Sequence, residues 1–220
     1  MRFIRVKGTV ALETALGDAL RAAGQHRVLW LVPGGSNIPI ASRIMTDLPR
    51  TYIKNLTIAL TDERYGKSGH KNSNYTQLIK AGFDSRGAVF KNILTGKSFQ
   101  ETVMDANTYM QELFNTHKVV ISFFGLGADG HIAGILPRSP AVFSKRLVAG
   151  YDAGDLQRIT LTSVALQKVT HAFLGAFGRE KKPALLNLRD KHLPLNKQPA
   201  QILRSIPETD IFNDQIGETV

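Results

Sequence analysis

The chain has 220 residues, 43% hydrophobic and 21% charged, with a formal net charge of +10 and no cysteine. That length can bury a proper core, the composition is that of an ordinary globular protein, and the missing thiols exclude disulfides and thiolate chemistry. No apolar run reaches membrane-spanning length, and Glu13 and Asp18 fall where a signal peptide needs its apolar centre, so a cytoplasmic protein with no membrane partner is expected.

The basic residues are scattered, with Lys145-Arg146 and Lys181-Lys182 the only doublets. Scattered charge reads as a solvated surface, so no nucleic-acid partner is expected, and a phosphorylated small molecule is compatible with the balance.

In chain order the pattern is strand, turn, helix, repeated. Arg27 to Val32 is a short apolar strand ending in Pro33-Gly34-Gly35-Ser36, followed by a helix near Ile38 to Asp47. Leu56 to Leu60 is the next strand and runs into Thr61-Asp62-Glu63-Arg64. The tract Lys67 to Asn74 reads as a mobile polar loop with His70 exposed to solvent. A helix over Asn74 to Ala81 and a strand over Ala88 to Leu94 follow. Ser98 and Glu101 have capping-box spacing and open a helix with a Val103, Met110, Leu113, Phe114 stripe. Lys118 to Phe124 is a strongly apolar strand. Arg158 to Leu161 is a strand, a helix starts near Ser163, and Ala172 to Ala176 is again a strand. A helix near Arg179 to Arg189 and a last strand over Asp210 to Phe212 complete the set.

Apolar strands alternating with amphipathic helices predict an α/β fold: an open, mostly parallel sheet with helices on both faces, Rossmann-like. With no repeat, low-complexity tract or long linker, residues 1–220 read as a single domain.

Ligands of such sheets sit at the carboxyl ends of strands. Three features occupy those ends: Pro33 to Asn37, Thr61 to Arg64, and the loop Phe123 to Pro137 (FFGLGADGHIAGILP). Gly125, Gly127 and Gly130 match the spacing of a dinucleotide fingerprint, and Asp152 lies about 20 residues further on, as that fingerprint requires. The match is read as a decoy, because Gly134, Pro137 and Pro140 leave no room for the helix that faces a pyrophosphate.

The side chains offer a different reading. Asp129 and His131 can project together into one cleft, His131 as general base with Asp129 fixing its tautomer. The bland alternatives are a loop histidine satisfied by backbone and an aspartate that caps the turn. The Gly34-Gly35-Ser36 turn can bind an anion on free N–H groups, or merely start a helix capped by Ser36 or Asn37. Arg64 can hold a phosphate bidentately, or make a surface ion pair. No His and carboxylate cluster has metal-ligand spacing, so no catalytic metal is expected.

Taken together PGGSN, LTDERY with NSNY, GLGADGHIAGILP, RITLT and GAFGREK resemble the 6-phosphogluconolactonases, and more loosely the related glucosamine-6-phosphate deaminases, over about Leu31 to Lys181. The deaminase spelling has a glutamate five residues after the histidine, where this chain has Leu136, and a tyrosine in the place of Arg64. DER, RITLT (Arg158 to Thr162) and G-x-x-K (Gly178 to Lys181) look like the lactonases. Asn37 stands where lactonases usually show threonine, and Ile132 and Gly134 depart from their H-T-A-S-L-F-P spelling.

The resemblance implies hydrolysis of 6-phospho-D-glucono-1,5-lactone to 6-phosphogluconate in the oxidative pentose phosphate pathway, with no metal or organic cofactor. His131 and Asp129 would be catalytic; Gly34, Gly35, Ser36, Asp62, Arg64, Arg158 and Lys181 would bind the substrate and its phosphate. The alternatives are a deaminase-type isomerase and a non-catalytic sugar-phosphate-binding domain.

Overall fold

A computed structural model describes residues Met1–Thr219. Chain order is β1 (Arg2–Arg5), α1 (Val10–Ala23), β2 (Val28–Val32), α2 (Ile38–Asp47), α3 (Arg50–Ile53), β3 (Leu56–Leu60), β4 (Asp62–Arg64), α4 (Asn74–Lys80), β5 (Val89–Phe90) and α5 (Phe99–Thr116). It continues with β6 (Val119–Gly125), β7 (Val148–Asp152), β8 (Gln157–Leu161), α6 (Ser163–Leu166), β9 (His171–Ala176), α7 (Lys182–Asp190), β10 (Glu208–Asn213) and β11 (Glu218–Thr219).

Eight strands form one sheet in the order β11-β1-β10-β9-β6-β2-β3-β5, and every pairing in it is parallel. Both faces are covered, which is why the central strands are apolar throughout and not alternating. Along β2, Leu29 and Leu31 join a cluster with α5, α6 and α7, while Val28, Trp30 and Val32 join one with α1, α2 and α4. Phe124 and Phe123 divide the same way on β6. Ser98 accepts from Glu101 N and the Glu101 carboxylate accepts from Ser98 N, so the capping box starts α5 as its spacing predicts.

The chain starts in the sheet at β1, crosses to β2, steps to β3 and β5 on one side, and returns through β6 to β9 and β10 on the other, beside β1. The reversal opens a crevice between the carboxyl ends of β2 and β6.

Four expectations need correction. Arg158 to Leu161 lies in a second, three-stranded antiparallel sheet, β4-β8-β7, and not in the parallel one. Its outer positions Gln157 and Arg158 are half-buried and only Ile159 to Leu161 are buried, a pattern too short to separate a covering sheet from a central strand. The strand read over Ala88 to Leu94 shrinks to Val89–Phe90, an edge strand ended by polar Lys91 and Asn92. The helix from Ser163 is a single turn. The tract from Lys67 to Asn74 is anchored at its end: Ser73 and Asn74 are fully buried, and the half-buried His70 bonds through Nε2 to Arg64 O at 2.9 Å. Elements β1, α1, α3, β4, β7 and β11 have no counterpart among the elements expected from the sequence.

Candidate active site

A cleft of about 440 Å³ lies over the crevice, lined from the ends of β2, β3, β6, β8 and β9. Gly34, Gly35, Ser36, Asp62, Arg64, His131, Arg158 and Lys181 all border it. Asp129 is not in the wall and reaches the cleft through His131.

The glycine-rich loop leaves β6 and folds back on itself: Gly127 N donates to His131 O at 2.9 Å and Gly130 N to Gly127 O at 2.9 Å. Leu126 and Ile132 bridge antiparallel and are buried, so the loop hangs from an apolar staple. Asp129 Oδ1 accepts from both the backbone N (3.1 Å) and the Nδ1 of His131 (2.7 Å). The hydrogen bond from the His131 side chain outweighs burial and holds the Asp129 carboxyl below its usual range. A carboxylate acceptor at Nδ1 puts the ring proton there and leaves Nε2 as the basic nitrogen. No described residue bonds to Nε2.

The loop after His131 is tightly fitted. Ala133 lies at φ +51°, in the left-handed region. Gly134 N donates to Thr160 Oγ1 at 2.9 Å, and Tyr151 Oη donates to Gly134 O at 2.7 Å. A β-carbon on Gly134 would lie 2.9 Å from Thr160 Cβ and 3.0 Å from Asp62 Cβ, so this departure from the lactonase spelling lets the loop close onto β4 and β8. Leu136 packs against the hydrophobic cluster and is outside the cleft wall.

The opposite wall carries the turn and the cations that were expected to bind an anion. Gly35 has φ +69°, which turns the chain so that Gly35–Asn37 forms a short 3-10 helix before α2. Neither Ser36 nor Asn37 caps α2 with its side chain, which removes the capping alternative. Arg64 and Arg158 are register partners across the β4–β8 ladder, so two guanidinium groups share one edge of the cleft. Their acidic contacts are long: 3.8 Å from Arg64 to Asp62 and 3.7 Å from Arg158 to Asp155. The Nε of each is buried without a hydrogen-bond partner among the described residues. Lys181, in a 3-10 turn before α7, stands 3.9 Å from Glu180. Cations on one cleft with only long acidic contacts leave room for an anion to lower their mutual repulsion.

Glu63, fully buried next to Arg64, holds the wall in place. Its carboxylate accepts from Arg64 N (2.7 Å), Asn74 N (2.6 Å), Ser73 Oγ (2.9 Å) and Tyr75 N (3.0 Å). Burial pushes its carboxyl up, against the pull of these donors.

Two side chains of the cleft wall, Arg43 and Asn37, were not among the expected site residues. Arg43 on α2 borders the mouth and is held by Glu13 of α1 at 2.6 Å. Asn37 spans the floor, donating to Phe124 O and Gly175 O at 3.1 Å each. Arg43 had no local signal, since one arginine on a polar helix face is the commonest surface feature. Among the described residues, no group of three or more His, Asp or Glu side chains is placed to hold a metal ion, and no helix is long and apolar enough to cross a membrane.

A parallel α/β sheet with a His–Asp pair and two register-paired arginines at its switch-point cleft defines the class of open α/β proteins whose ligands bind at the strand ends. The chain belongs to the family of glucosamine-6-phosphate isomerases and 6-phosphogluconolactonase, whose model matches residues 7–211. The 6-phosphogluconolactonase of Borreliella burgdorferi is 31% identical, with 71% of this chain and 72% of that protein covered. That of Helicobacter pylori is 25% identical, with 84% and 82% covered. The crystal structure of a 6-phosphogluconolactonase from Shewanella baltica shares the fold with a TM-score of 0.80 at 19% identity, covering 97% of each chain.

Proposed function

We propose that this chain hydrolyses 6-phospho-D-glucono-1,5-lactone to 6-phosphogluconate, a step of the oxidative pentose phosphate pathway. The observation that carries this reading is the His131–Asp129 pair, 2.7 Å apart, with its free nitrogen in the same cleft as Arg64 and Arg158. Residues 1–220 act as one lactonase-like unit in this reading, in the cytoplasm, with a small phosphosugar lactone as partner.

The chemistry follows from the side chains. A lactone is a reactive ester, so aiming and activating a water is sufficient and no covalent nucleophile is required. His131 Nε2 takes a proton from water as the oxygen attacks C1. The ionised Asp129 stabilises the imidazolium that forms. Collapse of the tetrahedral intermediate breaks the C1–ring oxygen bond, and the imidazolium returns its proton to the departing oxygen. The products are a carboxylic acid, which ionises, and a free hydroxyl. Loop N–H groups or a nearby cation stabilise the developing oxyanion. The turn at Gly34, Gly35 and Ser36, with Arg64, Arg158 and Lys181, holds the phosphate; Asp62 binds sugar hydroxyls or positions Arg64.

The isomerase reading lacks its carboxylate, because Leu136 occupies that position and packs on the core. Freshly made lactone and glucosamine 6-phosphate offered in parallel distinguish the two. Loss of lactone well above the buffer rate, without ammonia release from the amino sugar, is expected. Ammonia release, or binding of both without turnover, would overturn the reading.

A further inference from the structure

Asn37 is the residue after the anion-binding turn, and it stands where lactonases usually show threonine. The residue is 3% exposed, and its side chain reaches from the end of β2 across two strands. Gly125 and Gly175 are register partners at the carboxyl ends of β6 and β9, and the carboxamide lies over both. A β-carbon on Gly125 would come 3.2 Å from Asn37 Nδ2, and one on Gly175 would come 3.2 Å from Asn37 Oδ1. The two glycines leave the space that the amide occupies.

Both hydrogen bonds from Nδ2 go to main-chain carbonyls, Phe124 O and Gly175 O. Carbonyls only accept, so they fix which end of the amide is nitrogen. The remaining atom, Oδ1, has no donor among the described residues, and the side chain borders the cleft. With its donor capacity used, this carboxamide can offer a ligand nothing but an acceptor. Phosphate oxygens, which are acceptors themselves, are repelled from it. A hydroxyl is not.

We propose that Asn37 is a specificity residue whose Oδ1 accepts a hydrogen bond from one ring hydroxyl of the phosphorylated lactone. The inference rests on the lactonase reading and adds to it a division of labour on one turn: Gly34 to Ser36 face the phosphate, and Asn37 reads the sugar. A site that hydrogen-bonds a substrate hydroxyl discriminates against the analogue lacking it, because the acceptor, closed off from solvent by the bound sugar, is left unpaired.

The test uses 6-phosphogluconolactone and its 2-deoxy, 3-deoxy and 4-deoxy analogues with wild type and Asn37→Thr. In wild type, one of the three deoxy lactones is expected to lose roughly 10- to 100-fold in kcat/KM. In Asn37→Thr that penalty is expected to shrink to a few-fold, while the other two analogues keep their relation to the parent lactone. If Asn37→Thr lowers all four lactones equally, Asn37 is only a strut between strands and the inference fails. Should the variant not fold, the wild-type series still decides: equal rates on all three deoxy lactones would overturn the inference. Lactonase activity with no hydroxyl discrimination sinks this inference alone, whereas no acceleration of any lactone by wild type sinks the lactonase reading beneath it.

Discussion

Gly127 lies directly under His131: a β-carbon there would stand 2.0 Å from His131 Nδ1 and 2.4 Å from Asp129 Oδ1. The glycine is therefore required by the side chains of the pair and not by the turn. Gly127→Ala must push imidazole and carboxylate apart while leaving the staple of Leu126 and Ile132 intact. A loss of about 100-fold in kcat/KM is expected, of the size that a misplacement of about 1 Å produces. Thermal unfolding should shift by only a few degrees, and a variant with normal turnover would show that the pair does not depend on this contact.

Arg64 and Arg158 face each other across the ladder with long acidic contacts. If the phosphate sits between them, removing either charge weakens binding of the phosphorylated lactone but not of its unphosphorylated counterpart. Arg64→Gln and Arg158→Gln are each expected to raise KM for the phosphorylated substrate roughly 10- to 100-fold. Added salt should blunt the difference between wild type and variants. Equal effects on phosphorylated and unphosphorylated lactone would place the phosphate elsewhere.

Much of this site is legible in the sequence because its elements are short and local. Ser98 with Glu101 marks a helix start, and the glycine-rich loop brings Asp129 and His131 within two residues of each other. The strand ends at Val32, Leu60 and Gly125 are marked by a change from apolar residues to turn chemistry. What could not be read depends on partners distant in sequence. Gln157 to Leu161 has the composition of a central strand, and only its pairings with Asp62–Arg64 and Val148–Asp152 make it antiparallel. Asn37 resembles a helix cap until Phe124 and Gly175 supply the carbonyls it binds. His70 and Ser73 read as loop residues because their anchors, Arg64 O and Glu63, belong to β4, which the sequence pattern does not reveal as a separate strand.

Glu63 shows how such an anchor acts. Four donors from the Arg64 backbone and residues Ser73 to Tyr75 converge on one buried carboxylate. Glu63→Ala strands all four, and a destabilisation of about 3 kcal/mol is expected. Glu63→Gln retains one acceptor oxygen but points an NH2 group at the Ser73 or Asn74 donors, so it should fall between the two. Denaturant midpoints measure the order, and an Ala variant as stable as wild type would contradict it.

At the far end of the sheet, Asp210 is buried, which alone would raise its carboxyl. Hydrogen bonds from His171 Nε2 (3.2 Å) and Arg2 (2.6 and 2.7 Å) outweigh this and hold it at about 2, below the ordinary 3.8. A lowered carboxyl contributes stability above its unfolded value and loses it as pH falls towards the folded one. Wild type should therefore lose on the order of 1–2 kcal/mol between about pH 4 and pH 2, less than the full shift because Arg2 is largely exposed. Asp210→Asn should be less stable at neutral pH and lack this part of the acid dependence. Parallel stability curves for the two proteins across that window would contradict the assignment.

The measurement that bears most directly on His131 is lactone consumption by His131→Ala. With freshly generated 6-phosphogluconolactone, wild type should exceed the buffer rate clearly, and the variant should fall by roughly 10²- to 10⁴-fold in kcat, as loss of a general base implies. Its unfolding midpoint should stay near that of wild type, since His131 is about one-third exposed and bonds only within its own loop. A folded His131→Ala protein that consumes the lactone at the wild-type rate would show that this histidine is not the base.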